Sequence, residues 1–336
     1  MFESFSLKSL QLRNRIVMPP MCMYSADTEG VSTNWHKTHY AARAIGGAGL
    51  IIQEATAVEK RGRLSNNDLG LWSDKQIPGL SEIVGAVHEF GAKIAVQIAH
   101  GGRKAWAGGE SIVAPSPIKF PTSDTVPDQL DLSQISQVVE NFASAAARAV
   151  QAGYDAIEIH AAHGYLIHEF ISPHTNKRTD RYGGNKQNRL NFPIEVVKAV
   201  KSAMPSDMPL FMRISAVEYL DDGYTFEDMI EAVGIFKEYG LDLIDVSSGG
   251  ASQAAPPSWP GFQLPYAQRL KSEIGIPAIG CGLINEPLMA EEAVGKNMAD
   301  LIAIGRGQLA DPHWALKASK ALNVQGLVPW QYDRAF

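Results

Sequence analysis

The chain has 336 residues, 45% of them hydrophobic and 20% charged, and a formal net charge of −6 at pH 7. That apolar fraction fills a large core, and the acidic balance argues against general binding to nucleic acid or to an anionic membrane surface. Two cysteines, Cys22 and Cys281, make no disulfide framework and fit a reducing cytoplasm; residues 1–15 lack a signal-peptide core, and no apolar run is long enough to span a bilayer.

Residues 5–15 alternate polar and apolar and predict a small hairpin capping the bottom of a barrel. Eight short apolar segments come next: IVMPPMC (16–22), GLIIQEA (49–55), KIAVQIAH (93–100), AIEIHAAH (156–163), PLFMRIS (209–215), LIDVSSG (243–249), PAIGCG (277–282) and LIAIGR (301–306). Helical stretches fit 33–45, 79–90, 187–203, 225–239, 265–274, 286–295 and 311–321. The clearest helix carries Ile135, Val138, Val139, Phe142, Ala145, Ala146 and Ala149 at helical spacing and stops at Gly153. Short Ile- and Val-rich strands alternating with helices predict parallel strands joined by crossovers, and eight of them predict a closed α/β (β/α)8 TIM barrel. No linker interrupts the pattern, so 1–336 is read as one domain. Two long excursions, 101–132 after the third strand and 164–186 after the fourth, predict binding loops. Asn185 is placed to cap the helix expected from 187.

Such barrels hold their chemistry at the C-terminal ends of the strands. Those ends read Cys22, Glu54, Gln97, His100, His160, His163, Arg213, Ser247, Ser248, Gly282, Gly305 and Arg306. Gly282 after strand seven and Gly305 with Arg306 after strand eight suit a phosphate, since glycine lets backbone N–H groups approach and arginine binds bidentately. His160, His163 and Tyr165 gather after strand four. Two imidazoles can donate to an oxygen that gains charge, with Tyr165 supplying a proton. A rival reading is metal binding, but the spacing is not the helical H-E-x-x-H pattern and no carboxylate or thiolate completes a set, so no metal is expected. Arg213 needs an anionic partner: a flavin ring, or Glu158 or Asp245 on neighbouring strands. Gln97 suits a heterocycle edge or a hydrogen bond within the barrel. Cys22 reads as a nucleophile, a flavin neighbour or a small buried hydrophobe, and Cys281 as core. The tail, 326–336, carries Trp330, Tyr332, Arg334 and Phe336, good material for a subunit interface.

Taken in order, PMCMYSA (20–26), QEATAV (53–58), QIAHGGRKA (97–105), HAAHGYL (160–166), NKRTDRYGG (176–184), FMRIS (211–215), DVSSGG (245–250) and AIGRG (303–307) resemble the Old Yellow Enzyme family of FMN-dependent ene-reductases, most closely its thermophilic-like subclass. The resemblance covers essentially the whole chain. It implies tightly bound FMN, with Pro19, Pro20, Met21, Cys22, Ala55, Gln97 and Arg213 along the ring. Gly282, Gly305 and Arg306 would hold the phosphate, with Ser247 or Ser248 nearby. It further implies His160 and His163 on the substrate's activating oxygen and Tyr165 as proton donor. Cys22 and Tyr24 would touch the ligand, and Arg334 would reach into a neighbouring subunit's site in a homodimer or homotetramer. The reaction implied is ping-pong: NADPH, or NADH, reduces FMN, which then reduces an activated alkene. Pro19 and Asn185 depart from the family pattern, which carries a small polar residue and a serine there. Another FMN barrel, such as a dihydroorotate or dihydrouridine enzyme, a non-catalytic flavin binder and a metal-dependent hydrolase are the alternatives. The acidic charge speaks against a tRNA substrate.

Overall fold

Side chains on a strand alternate between its two faces, and in a closed parallel sheet one face becomes an interior. The structure, a computed structural model, describes residues 1–106 and 111–336. Strands β1 (Ile16–Met18), β2 (Leu50–Ala57), β3 (Lys93–Ala99), β4 (Ala156–Ala161), β5 (Leu210–Ser215), β6 (Leu243–Ser247), β7 (Ala278–Gly280) and β8 (Leu301–Ala303) succeed one another in chain order around a closed barrel, β8 pairing back onto β1. This is the (β/α)8 barrel expected from the strand count. On β5, Leu210, Met212 and Ile214 pack outward under the helices while Phe211 packs inside; on β4, Ile157 and Ile159 face out and Ala156 in.

The interior is apolar at its base. Leu50, Ala95, Ala156, Phe211, Leu243 and Leu301 form one buried cluster there. The expected hairpin, Phe5–Leu7 paired with Leu10–Leu12, closes it from below and buries Leu10 and Leu12 in that cluster. Higher up, the same inward positions turn polar. Register sets Gln97 opposite Glu158, His160 opposite Arg213 and Arg213 opposite Asp245.

Helix Leu132–Ala152 buries the predicted stripe apart from Val139, which is half-buried. Its start is a capping box, with Asp131 accepting from the Gln134 N–H and the Gln134 side chain accepting from the Asp131 N–H, and it ends on left-handed Gly153 (φ 92°). Elsewhere the boundaries move. β1, β7 and β8 are three residues each, so residues 19–22, 281–282 and 304–305 lie in loops beyond the ladder, and Arg306 opens a short helix, Arg306–Ala310. After β1, two successive prolines lack the N–H to continue it. The helix expected over 187–203 is two, Lys186–Arg189 and Asn191–Ser202, and Asn185 caps the first by accepting the Asn188 N–H. The last long helix begins at Trp314 rather than 311, after Asp311 accepts the His313 N–H across Pro312.

The excursions are more ordered than expected. The first contains a 3₁₀ turn, Gly102–Lys104, and a parallel pair, Val113–Ala114 with Asp128–Gln129; its residues 107–110 lie outside the described residues. The second contains a helix, Leu166–Ile171, buried at every position, so it shows no amphipathic period to find in the sequence. Among the described residues no helix is long and apolar enough to cross a membrane.

Leu12 plugs the barrel base far from the strand ends where the site lies. Leu12→Ala is expected to cost about 2–5 kcal/mol of unfolding free energy, read by chemical denaturation; a loss within about 0.5 kcal/mol would show that the hairpin does not close the core.

Candidate active site

His160 is the fifth residue of β4 and is buried on the inward face opposite Arg213. Beyond the strand the chain turns through two left-handed residues, His163 (φ 61°) and Gly164 (φ 70°). Three contacts hold this turn. The His163 N–H donates to Ser215 Oγ at 3.0 Å, the Gly164 N–H donates to His168 Nδ1 at 2.9 Å, and His168 Nε2 lies 3.0 Å from Glu218 Oε1. Glycine is required at 164, because a Cβ would stand 2.4 Å from the Gly250 carbonyl oxygen. The turn sets the His160 ring edge-on to those of His163 and Tyr165, with centroids 5.2 and 4.8 Å apart.

Burial, and then the Arg213 charge, push both imidazoles well below the usual histidine range, so both are neutral at neutral pH. A neutral imidazole has one N–H to give. His160 Nδ1 accepts the Ala162 N–H at 3.3 Å, which leaves Nε2–H as its donor. His163 Nε2 lies 2.7 Å from Ser247 Oγ, and with Ser247 donating, Nδ1–H is the free donor. Burial raises the Tyr165 phenol above its ordinary value, so it keeps its proton.

Arg213 forms an ion pair with Asp245 (Nε to Oδ2, 3.3 Å), one of the partners expected for it. Its Nε has no hydrogen-bond partner among the described residues. Gln97 donates to Glu158 Oε1 at 2.9 Å, the barrel hydrogen bond among its two readings. Glu158 is pushed well up, first by burial and then by Asp245, and so holds a proton beside the ion pair.

Beside this layer opens a cavity of about 440 Å³, within the range of small-molecule sites. Pro19, Pro20, Met21, Arg213, Ser247, Gly282, Gly305 and Arg306 line it, which brings together most of the expected ring and phosphate residues. Ala55 lines a second, smaller cavity with Tyr165 and Asp68. Ser248, Gln97 and Cys22 line neither. Gln263 is not among the residues that the sequence singles out. Its amide donates to Ser248 Oγ at 2.7 Å and accepts from Cys281 Sγ at 2.9 Å, tying two loops together along the cavity wall. No motif marks it; only its place just before helix Leu264–Ile274 could have drawn notice. Cys281, read as core, is buried but also lines the cavity.

Cys22 sits on a loop anchored from below by Glu54. Glu54 Oε2 accepts the Met23 N–H at 2.6 Å and Oε1 accepts the Tyr40 hydroxyl at 3.0 Å. Burial, with Asp68 and Glu54 nearby, raises the Cys22 thiol, the opposite of what an activated nucleophile needs. Tyr24 is 56% exposed on the same loop. Arg334 is exposed on the tail, away from this chain's own cavity, and Tyr332 packs edge-on to His313 at 5.2 Å. Among the described residues no group of three or more His, Cys, Asp or Glu is placed to hold a metal ion.

The sequence profile of the NADH:flavin oxidoreductase / NADH oxidase family matches residues 1–325, and the chain belongs to that family. It is 48% identical to the NADPH dehydrogenase of Geobacillus thermodenitrificans, over 100% of this chain and 98% of the relative. Among solved structures, morphinone reductase superposes with a TM-score of 0.84 at 29% identity, covering 96% of this chain and 90% of that one. An Old Yellow Enzyme homologue from Zymomonas mobilis gives 0.84 at 27% identity, covering 96% and 93%. The chain is therefore a flavin-dependent oxidoreductase with a nicotinamide reductant.

Burial pushes Glu54 up from 4.5 to about 7. Folded chain then holds a proton that unfolded chain has released, so this residue's contribution to stability is lost as pH rises through that interval. Glu54→Gln cannot ionise. Its stability relative to wild type is expected to improve from about pH 5 to about pH 8 by on the order of 2 kcal/mol, read as thermal or denaturant midpoints; parallel pH curves would contradict the assignment.

Proposed function

We propose that this protein is an ene-reductase that takes electrons from NADPH, or less readily NADH, and reduces alkenes conjugated to a carbonyl or nitro group. The observation that carries the reading is the meeting of two neutral imidazoles and a protonated phenol next to the cavity, with His160 in register with Arg213 and His163 bonded to Ser247, both of which line it. The residues fit FMN. Arg213 brings a buried cation with an unsatisfied N–H to the cavity, and Gly282, Gly305 and the Arg306 guanidinium suit a phosphate at its end. Bound there, FMN supplies the hydride chemistry between the nicotinamide and the alkene's β-carbon.

The chain's own part is positioning and polarisation. His160 and His163 each give one N–H to the substrate's carbonyl or nitro oxygen and draw charge onto it, which makes the β-carbon electrophilic. Being neutral, they stabilise the charge that develops on that oxygen without handing over a proton. Tyr165 gives its proton to the α-carbon. Cys22, as a thiol, and Tyr24 border the substrate, and Pro19, Pro20, Met21 and Ala55 flank the ring. Gln97 and Ser248 complete the flavin's surroundings, Gln97 bonded to Glu158 and Ser248 to Gln263. Arg334 of a second copy completes the mouth, in a homodimer or homotetramer, and the enzyme works in the cytoplasm on small molecules. The subclass cysteine and the tail arginine rest on sequence resemblance.

Under anaerobic conditions the flavin bands of purified protein are expected to bleach with NADPH and return with cyclohexenone. Bleaching without return would reject enones as acceptors, and protein that takes up no FMN would reject the reading altogether. Tyr165→Phe is expected to slow reoxidation by the enone about 100-fold or more while reduction by NADPH falls far less. Stopped-flow traces showing equal loss in both half-reactions would remove Tyr165 as the proton donor.

A further inference from the structure

Lys104 is the last residue of the 3₁₀ turn Gly102–Lys104 after β3 and belongs to none of the groups assigned to flavin or substrate. Its ammonium donates to the carbonyl oxygen of His163 at 2.9 Å and to that of Gly250 at 3.3 Å. These two oxygens belong to the loops after β4 and β6, which abut where Gly164 meets Gly250. With two N–H bonds so placed, Nζ is held 4.9 Å from the centroid of the Tyr165 ring and 4.6 Å from that of Phe120. A lysine with this much of its length buried and its head bonded to fixed backbone is not a solvated surface charge.

We propose that Lys104 is the positioning residue of Tyr165: it pins the backbone beside the phenol, and its positive charge stabilises the phenolate formed when Tyr165 gives up its proton. The inference rests on the proton-donor role proposed for Tyr165. In that step the phenol O–H bond breaks, its electron pair stays on oxygen, and the proton forms the new C–H bond at the α-carbon; water later returns a proton to the phenolate. A cation attracts a neutral ring weakly but a phenolate strongly, and the difference grows where water is scarce. Lys104 therefore favours the product of proton transfer over the starting phenol.

The surroundings make such help necessary. Burial, Cys22, Tyr24 and Asp68 all disfavour the Tyr165 phenolate, and Arg213 favours it. On the Lys104 side, burial pushes the amine down to about 8, Arg103 adds to that and Glu169 opposes it. Lys104 also helps keep His160 and His163 neutral. Glu169 is itself pushed up to about 8 by burial, so it changes charge in the same interval. A pH profile alone would merge the two residues, and substitution separates them.

The test places a fluorinated tyrosine at position 165 of the FMN-loaded protein and tracks its ionisation by ¹⁹F NMR across a pH titration. Lys104→Arg keeps its charge through the whole titration, whereas Lys104→Gln keeps a donor for the backbone oxygens but has no charge. The phenol's midpoint is expected to lie about one pH unit or more lower in the arginine variant than in the glutamine variant, a tenfold effect. Lys104→Met, a second charge-free variant, should match Lys104→Gln. In the natural-tyrosine protein, Lys104→Gln should slow reoxidation by cyclohexenone about tenfold. A midpoint that is the same in the arginine variant as in both charge-free variants overturns the inference. A wild-type flavin that enone fails to reoxidise overturns the ene-reductase reading instead, and the titration still decides what Lys104 does to the phenol.

Discussion

Register between parallel strands places the buried polar layer on which the site rests. Hydrogen bonding across β3, β4, β5 and β6 puts Gln97 against Glu158, and Arg213 between His160 and Asp245. A shift of one residue in any pair would turn these side chains out among the helices and bring Ile157, Met212 or Val246 into the lumen. The apolar base and its Leu10–Leu12 plug keep that register from slipping, because they fill the lumen with side chains of fixed size. Charge in so dry a layer is tolerable only when balanced. Asp245 balances Arg213, and Glu158 avoids the problem by holding a proton.

The outcome is an acidic protein with a positive mouth. The chain carries a net charge of −6, yet Arg213, Lys104 and Arg306 stand around the strand ends. A cleft of one sign set in low-dielectric walls concentrates ligands of the other sign. Burial first, and then the same positive field, hold the histidines neutral, since adding a proton there would strand a charge away from water and set like charges together. Binding of an anion and polarisation of a neutral oxygen are thus served by one arrangement of charge.

Much of this is legible in the chain. Short Ile- and Val-rich apolar runs expose the strands, and the spacing from Ile135 to Ala149 exposes a helix, because both rest on local sequence pattern. His160, His163, Tyr165 and Arg213 can be picked out because polar groups at the ends of apolar strands are conspicuous. What stays hidden depends on non-local contact. Glu54 is read easily as a strand end, but its hold on the Met23 N–H depends on a loop 31 residues away in sequence. Gln263 joins Ser248 to Cys281 without any motif. Lys104 sits in a recognisable string, QIAHGGRKA, yet its partners are backbone oxygens from two other loops, which no side-chain pattern announces. Helix Leu166–Ile171 escapes notice because total burial erases amphipathicity.

The loops after β4 and β6 touch backbone to backbone. A Cβ on Gly164 would stand 2.4 Å from the Gly250 carbonyl oxygen, and one on Gly250 would stand 2.5 Å from the His163 Cα. Neither loop can be recut without the other, so this half of the mouth behaves as a single heritable unit. The stretch immediately downstream is different. Among the described residues the side chains of Ser252 and Ser258 bond only to neighbours two residues away, and Trp259 is 58% exposed. Insertions and grafts are tolerated where backbone is exposed and locally bonded. Variation in what the enzyme accepts, whether by descent or by design, has room to accumulate in 252–260 while the interlocked glycines beside it stay as they are.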